Sequence, residues 1–192
     1  MAPDGKSQSE KRVNAPSGGT ARSWFEPKLH VDPLCRVVLI EPLIPENTGN
    51  ISRTCVATNS ELHLVGPLGF DLTESRVLRA GLDYWKDLAW QRHVDTRSWQ
   101  DSIPEPSQNR VFFIETGSKQ CIYDAELEIG DWIVFGKETS GIDKTTINDY
   151  DARAWSIPMP GKTRSLNLSN AVAIVVFELL RQVRKSSGRA GF

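Results

Sequence analysis

Five short apolar runs, separated by stretches of helical character and closed by Pro, Gly or charged residues, constrain this chain more than any other feature. They are "RVVLIE" (36–41), "LHLV" (62–65), "RVFFIE" (110–115), "DWIVFG" (131–136) and "RAWSI" (153–157). Such runs suit strands covered on both faces, as in a parallel sheet with helices packed on either side. Helices are predicted at about Thr48 to Thr58, Thr73 to Ala80, Thr96 to Ile103, Lys144 to Asp149 and Leu168 to Lys185. Strand and helix in alternation predict an α/β fold with a mostly parallel sheet flanked by helices.

At 192 residues and 39% hydrophobic content the chain is long enough for one well-buried domain. That domain is expected at residues 34–186. Residues 1–33, rich in Gly, Pro, Ser and mixed charge without apolar periodicity, read as a flexible tail, and 187–192 as a flexible C-terminus. An organelle transit peptide is a weak alternative there, because Asp4, Glu10, Glu26 and Asp32 interrupt what should be an acid-poor stretch. A net charge of −1 gives no global push toward nucleic acid. Cys35, Cys55 and Cys121 are odd in number and widely spaced, which supports neither a disulfide framework nor a zinc knuckle, so no metal is expected. The longest apolar run falls short of the roughly 20 residues a membrane span needs, and no charged-then-apolar leader opens the chain. A soluble cytoplasmic protein with no membrane contact is the expectation.

Ligands of open parallel sheets sit beyond the carboxyl ends of the strands. Three loops there stand out: "EPLIPENTGNISRT" (41–54), "FGKETSG" (135–141) and "IPMPGKTRSLNLSN" (157–170). The "GKT" of the third lacks the Gly five residues earlier that a phosphate-binding P-loop requires, since position 156 is Ser. No G-x-G-x-x-G occurs either.

What remains is a set of polar residues at helix mouths. Ser165, Ser169 and Asn170 would serve as caps for the last helix, and the same helix entrance offers donors and a positive dipole end to a carboxylate or polar cofactor. Composition does not separate these readings. Glu138, between Gly136 and Gly141, is either a solvated turn residue or a group brought close to a ligand. In the first loop Thr48 is a plausible N-cap, with Asn47, Asn50 and Arg53 around it, and Arg53 reads as a surface charge or an anion contact.

Together the segments "IPENTGNISRTC", "IVFGKETSGI" and "IPMPGKTRSLNLSNAVAIVVFELLRQ", in this order and spacing, closely resemble the three motifs of the SPOUT (trefoil-knot) RNA methyltransferases. The nearest match is to the small tRNA wobble-position 2′-O-methyltransferases of that family, and "GPLGFDLTESRVLRAGLDY" (66–84) resembles the connecting segment of those enzymes. The likeness runs from about Arg36 to Gln182. It implies an α/β fold with a C-terminal trefoil knot, S-adenosyl-L-methionine bound in the knot, a homodimer, and methylation of a ribose 2′-OH in the anticodon loop of tRNA, at cytidine or uridine 34. By resemblance Ile114, Gly136, Ile157 and Ser165 match cofactor-binding positions, with Leu166 and Asn170 beside them. Asn47, Arg53, Glu138 and Asn167 match or adjoin positions associated with catalysis or its support. A SPOUT enzyme for another tRNA position or rRNA, and a non-catalytic RNA-binding module of this fold, are the alternatives.

The family's second motif usually reads F-G-P-E-T-R-G, whereas Lys137 and Ser140 stand here for its Pro and Arg; Phe177 and Trp85 replace a usual Tyr and His. The cofactor motifs are thus intact and the RNA-facing ones altered. Arg53 suits a donor to phosphate or a developing alkoxide and not a base, because a guanidinium does not deprotonate in a protein. From Gly161 onward Glu178 is the only acid, beside Arg164, Arg181, Arg184, Lys185 and Arg189, a bias that fits either phosphate contacts or a solvated helix end. Ile174, Val175, Phe177, Leu179 and Val183 of the last helix are expected to supply the dimer face.

Overall fold

A computed structural model describes residues 33–72, 84–146 and 152–186. Its strands are β1 (Cys35–Ile40), β2 (Glu61–Val65), β3 (Trp90–His93), β4 (Val111–Ile114), β5 (Gln120–Cys121), β6 (Asp131–Phe135) and β7 (Ala154–Ser156). Its helices are α1 (Pro45–Thr58), α2 (Thr96–Asp101) and α3 (Leu168–Ser186). The seven strands form one sheet in the order β3-β2-β1-β6-β4-β7-β5, and every pairing in it is parallel. The expected mostly parallel α/β architecture is therefore present.

The strands read as unbroken apolar runs because both faces are covered. Alternate residues of β1 point to opposite sides of the sheet. Val37 and Leu39 join a core with Ile51, Cys55, Val172, Val175 and Leu179 of α1 and α3, while Val38 and Ile40 join a second core with Trp99, Phe113 and Trp132. Two strands escaped the sequence reading. β3 and β5 are the edge strands, and their polar or half-exposed residues, Arg92 and Gln120 among them, leave no apolar run to detect.

Helix α1 begins earlier than predicted. Ile44 is its N-cap and Pro45 its first residue, a position where the missing N–H of proline costs nothing. Thr48 is therefore not the cap; it is fully buried inside the first turns. The helix ends at Asn59, in the left-handed region (φ 53), and Ser60 N–H closes onto the Cys55 carbonyl at 2.8 Å, a turn for which asparagine is suited. Helix α2 is capped by Asp95, which accepts from Ser98 N–H at 2.7 Å. Of the predicted helix from Lys144, Lys144–Thr146 forms a 3-10 turn; the remainder, the predicted helix at 73–80, and the tail and C-terminal segments lie outside the described residues.

The cysteines are free thiols, and burial pushes Cys35 up to about 12, so it stays protonated.

Across β1, β2 and β3 runs a buried polar line. Arg36 Nε lies 3.2 Å from Glu61 Oε2, the same carboxylate lies 3.4 Å from His63 Nε2, and His63 Nδ1 lies 3.0 Å from His93 Nε2. Burial lowers both imidazoles, His93 to about 4. In the unfolded chain histidine titrates near 6.5. As pH falls through that value the unfolded state takes up protons that the folded state refuses, so stability is lost progressively from about pH 6.5 down to about pH 4. Urea midpoints are expected to fall across this window, and His93→Gln to flatten the slope. Equal slopes in the two proteins would exclude His93 as the source.

Candidate active site

The loops that follow β1, β4, β6 and β7 converge at the carboxyl ends of their strands around a cavity of about 530 Å³. Ile114, Phe135, Ile157, Leu166 and Ala171 supply its apolar walls. Its charged lining residues are Glu115, Lys137, Glu138 and Arg164.

One hydrogen-bonded line ties three of these loops together. Glu138 accepts from Leu43 N–H (2.9 Å), Ile44 N–H (3.2 Å) and Asn47 Nδ2 (2.9 Å). Asn47 Oδ1 in turn accepts from Asn167 Nδ2 at 3.0 Å. Asn167 then accepts, through Oδ1, from Ser169 N–H at 2.9 Å and Ser169 Oγ at 2.7 Å. Asn167 is thus the cap of α3, and the expected caps Ser165, Ser169 and Asn170 are not. Its carbonyl also accepts the Ala171 N–H at 3.0 Å. The capping residue faces the cavity with its amide nitrogen directed at Asn47, so capping and site-building fall on one side chain. Glu138, half-buried and holding three donors, is no solvated turn residue.

The loop bearing Glu138 is closed tightly. Gly141 N–H returns to the Lys137 carbonyl at 3.0 Å, and Gly141 has φ 69, a conformation open to glycine. A Cβ on Gly136 would run into the backbone of Gly141 and Ile142. Beside it Lys137 Nζ meets Glu41 Oε2 at 2.7 Å. Lys137 thus takes up an ion pair with the first loop, where Glu41 itself sits at φ 48.

Of the residues predicted to bind the cofactor, Ile114, Gly136, Ile157, Ser165 and Leu166 line the cavity; Asn170 is exposed on α3 and is not among its lining residues. Of the predicted catalytic set, Asn47, Glu138 and Asn167 line it and Arg53 does not. Arg53 is exposed on α1, more than two turns into the helix, with its guanidinium 4.9 Å from the ring of Tyr84. The sequence reading missed Glu115 and Thr116, although they stand just beyond the end of β4. The rule that picked out the other loops applies equally to this one.

The dimer expectation for α3 needs correction. Val175 and Leu179 are fully buried in the core shared with α1, so they offer nothing to a second subunit. Phe177 is exposed beside Leu180, Arg181, Arg184 and Lys185, which line a shallow groove. Arg181 is held by Glu178 through two bonds of 2.7 and 2.8 Å, which takes one cation out of the basic stretch. Among the described residues no cluster of His, Cys, Asp or Glu could hold a metal ion, and no helix is long and apolar enough to cross a membrane.

Comparison with known proteins places this geometry in a family. The chain is 41% identical, over 157 residues, to a tRNA (cytidine(34)-2'-O)-methyltransferase of Burkholderia pseudomallei, an alignment that spans 79% of this chain and 97% of that protein. A solved structure described as "Structural insights into the 2-OH methylation of C/U34 on tRNA" superposes with a TM-score of 0.73 at 37% identity, covering 81% of this chain and 97% of the other. The fold alone is shared with the methyltransferase AviRb of Streptomyces viridochromogenes, solved with AdoMet, at a TM-score of 0.71 and 23% identity over 83% of this chain and 61% of that one. The model of the SpoU rRNA Methylase family matches residues 35–177, and the chain belongs to that family.

Proposed function

We propose that this protein is an S-adenosylmethionine-dependent tRNA 2′-O-methyltransferase that modifies the ribose of nucleotide 34, cytidine or uridine, in the anticodon loop. The observation that carries the reading is the line Glu138–Asn47–Asn167, which joins the three motif loops at the mouth of the cavity. At about 530 Å³ the cavity has the size of a small-molecule site. Its apolar walls and polar loop edges suit a purine nucleoside bearing an amino-acid arm.

The cofactor, when bound, supplies an electrophilic methyl group on a sulfonium. The protein's task is then to hold the ribose oxygen in line with that methyl and to neutralise charge as the proton leaves. The Asn47 and Asn167 amides are fixed by the Glu138 anchor and face the cavity, where they orient groups without moving. Arg53 lies outside this cavity, and we assign it to the neighbouring site of a homodimer, as a donor to the phosphate beside the target ribose. Phe177 and the adjoining groove on α3 are the surface for that contact. We also place a trefoil knot at the C-terminal loops, the domain at residues 34–186 and the protein in the cytoplasm, where it meets tRNA.

Two experiments follow. Nucleoside mapping of tRNA from cells lacking the protein is expected to show loss of the 2′-O-methyl group at nucleotide 34; loss at another tRNA position or in rRNA would redirect the substrate assignment. Mixing inactive Arg53→Ala subunits with inactive Glu138→Ala subunits is expected to restore methyl transfer, since one site of the heterodimer keeps both groups. Verified heterodimers without activity would place Arg53 and Glu138 in the same protomer.

A further inference from the structure

Among the described residues the cavity lining holds four charged side chains, and they differ in how much hydrogen-bonding capacity remains for a ligand. Lys137 is directed to Glu41 at 2.7 Å. Glu138 already accepts from three donors of the first loop. Glu115 is arranged otherwise. Its Oε1 accepts from Thr116 N–H at 3.1 Å and its Oε2 from Ile142 N–H at 3.0 Å, one bond per oxygen on a group with about four acceptor positions.

Those two bonds also fix where the carboxylate points. Glu115 N–H is itself tied to the Trp155 carbonyl at 2.9 Å, which sets the backbone at the end of β4. The Gly141 backbone packs directly on the carboxylate, so closely that a Cβ on Gly141 would collide with it. A carboxylate held on one side by backbone donors, with free acceptor positions and a place in the cavity lining, is preorganised for two hydroxyl donors at adjacent carbons. Its paired oxygens match the spacing of a vicinal diol.

We propose that Glu115 binds the ribose 2′- and 3′-hydroxyls of the cofactor. The assignment rests on the S-adenosylmethionine reading given above and adds a residue outside the cofactor positions carried by the motif resemblance. A hydrogen bond to a charged acceptor in such a site corresponds to about a tenfold change in affinity or more.

The test is calorimetric titration with S-adenosylhomocysteine, its 2′-deoxy and 3′-deoxy analogues, and 5′-methylthioadenosine, which keeps the ribose but lacks the amino-acid arm. The wild-type protein is expected to bind each deoxy analogue about tenfold or more weakly than S-adenosylhomocysteine. Glu115→Ala is expected to bind S-adenosylhomocysteine and methylthioadenosine more weakly by a similar factor, with no further loss on deoxygenation. Glu115→Gln, which keeps an oxygen for one backbone donor, guards against loop collapse and should fall between. Deoxy analogues that bind the wild type as well as the parent, or the same deoxy penalty in wild type and variants, would overturn the diol assignment. So would a Glu115 dependence seen with S-adenosylhomocysteine and not with methylthioadenosine, which would place the carboxylate against the ammonium. If S-adenosylhomocysteine fails to bind the wild type at all, the cofactor reading itself falls, and Glu115 with it.

Discussion

Glu138→Ala is expected to lower kcat/KM for methyl transfer by about 100-fold or more while leaving the protein folded. The carboxylate is half-exposed, so water can replace part of what it does for Leu43 N–H and Ile44 N–H. Water cannot hold Asn47 in one rotamer, and Asn47 is the partner of Asn167 Nδ2. A displacement of about 1 Å in a positioning group is enough for a loss of that size. Thermal stability should fall only modestly, by about 1–3 kcal/mol for groups left without their partner. Glu138→Gln, which keeps one acceptor oxygen and turns an amide toward the remaining donors, is expected to lie between. Near wild-type rates for Glu138→Ala would show that the three loops are held by something other than this line.

Gly136→Ala should act through the fold as well as the site. The added Cβ would occupy the space of Gly141 and Ile142 backbone atoms, which cannot yield without opening the loop that Gly141 N–H closes onto the Lys137 carbonyl. Overpacking against backbone costs about 3 kcal/mol or more, which for a domain of this size lowers Tm by about 6–12 °C. Cofactor binding should be lost with it, because Gly136, Lys137 and Gly141 all line the cavity. The pairing of a lowered Tm with lost binding distinguishes this variant from Glu138→Ala, in which the fold is largely spared. A Gly136→Ala protein with unchanged melting and affinity would mean that the loop is looser than its packing indicates.

The parts of this fold that were legible in the sequence are those whose burial is symmetric. Val37, Val38, Leu39 and Ile40 are all buried, in two different cores, so β1 announces itself as an uninterrupted run. β3 has a partner on one side only and mixes buried Trp90 and His93 with exposed Arg92, a pattern without a clear period. Helix α3 was found nearly to the residue, yet its capping residue was not. Asn167 lies among several polar side chains that could each satisfy a helix end, and the choice is made by Asn47, which is 120 positions away in the chain. The same holds for Glu138, whose partners lie 91 to 95 positions away. Local pattern identifies a loop as eligible, and only tertiary contact assigns the role. The assignment of cofactor positions came from the motif resemblance, not from periodicity, and among the described loops that line the cavity the one with no motif attached to it, 115–119, was passed over although the topology of a parallel sheet makes it equivalent to the others.

The most direct test of the function is methyl transfer from labelled S-adenosylmethionine to a tRNA substrate prepared in two forms, with ribose and with 2′-deoxyribose at nucleotide 34. The ribose form is expected to acquire label, recovered after digestion as the 2′-O-methylated nucleoside at that position, and the deoxy form to acquire none. Label found at another nucleotide, label undiminished by the single missing hydroxyl, or no transfer by a protein that binds the cofactor would each contradict the proposed activity.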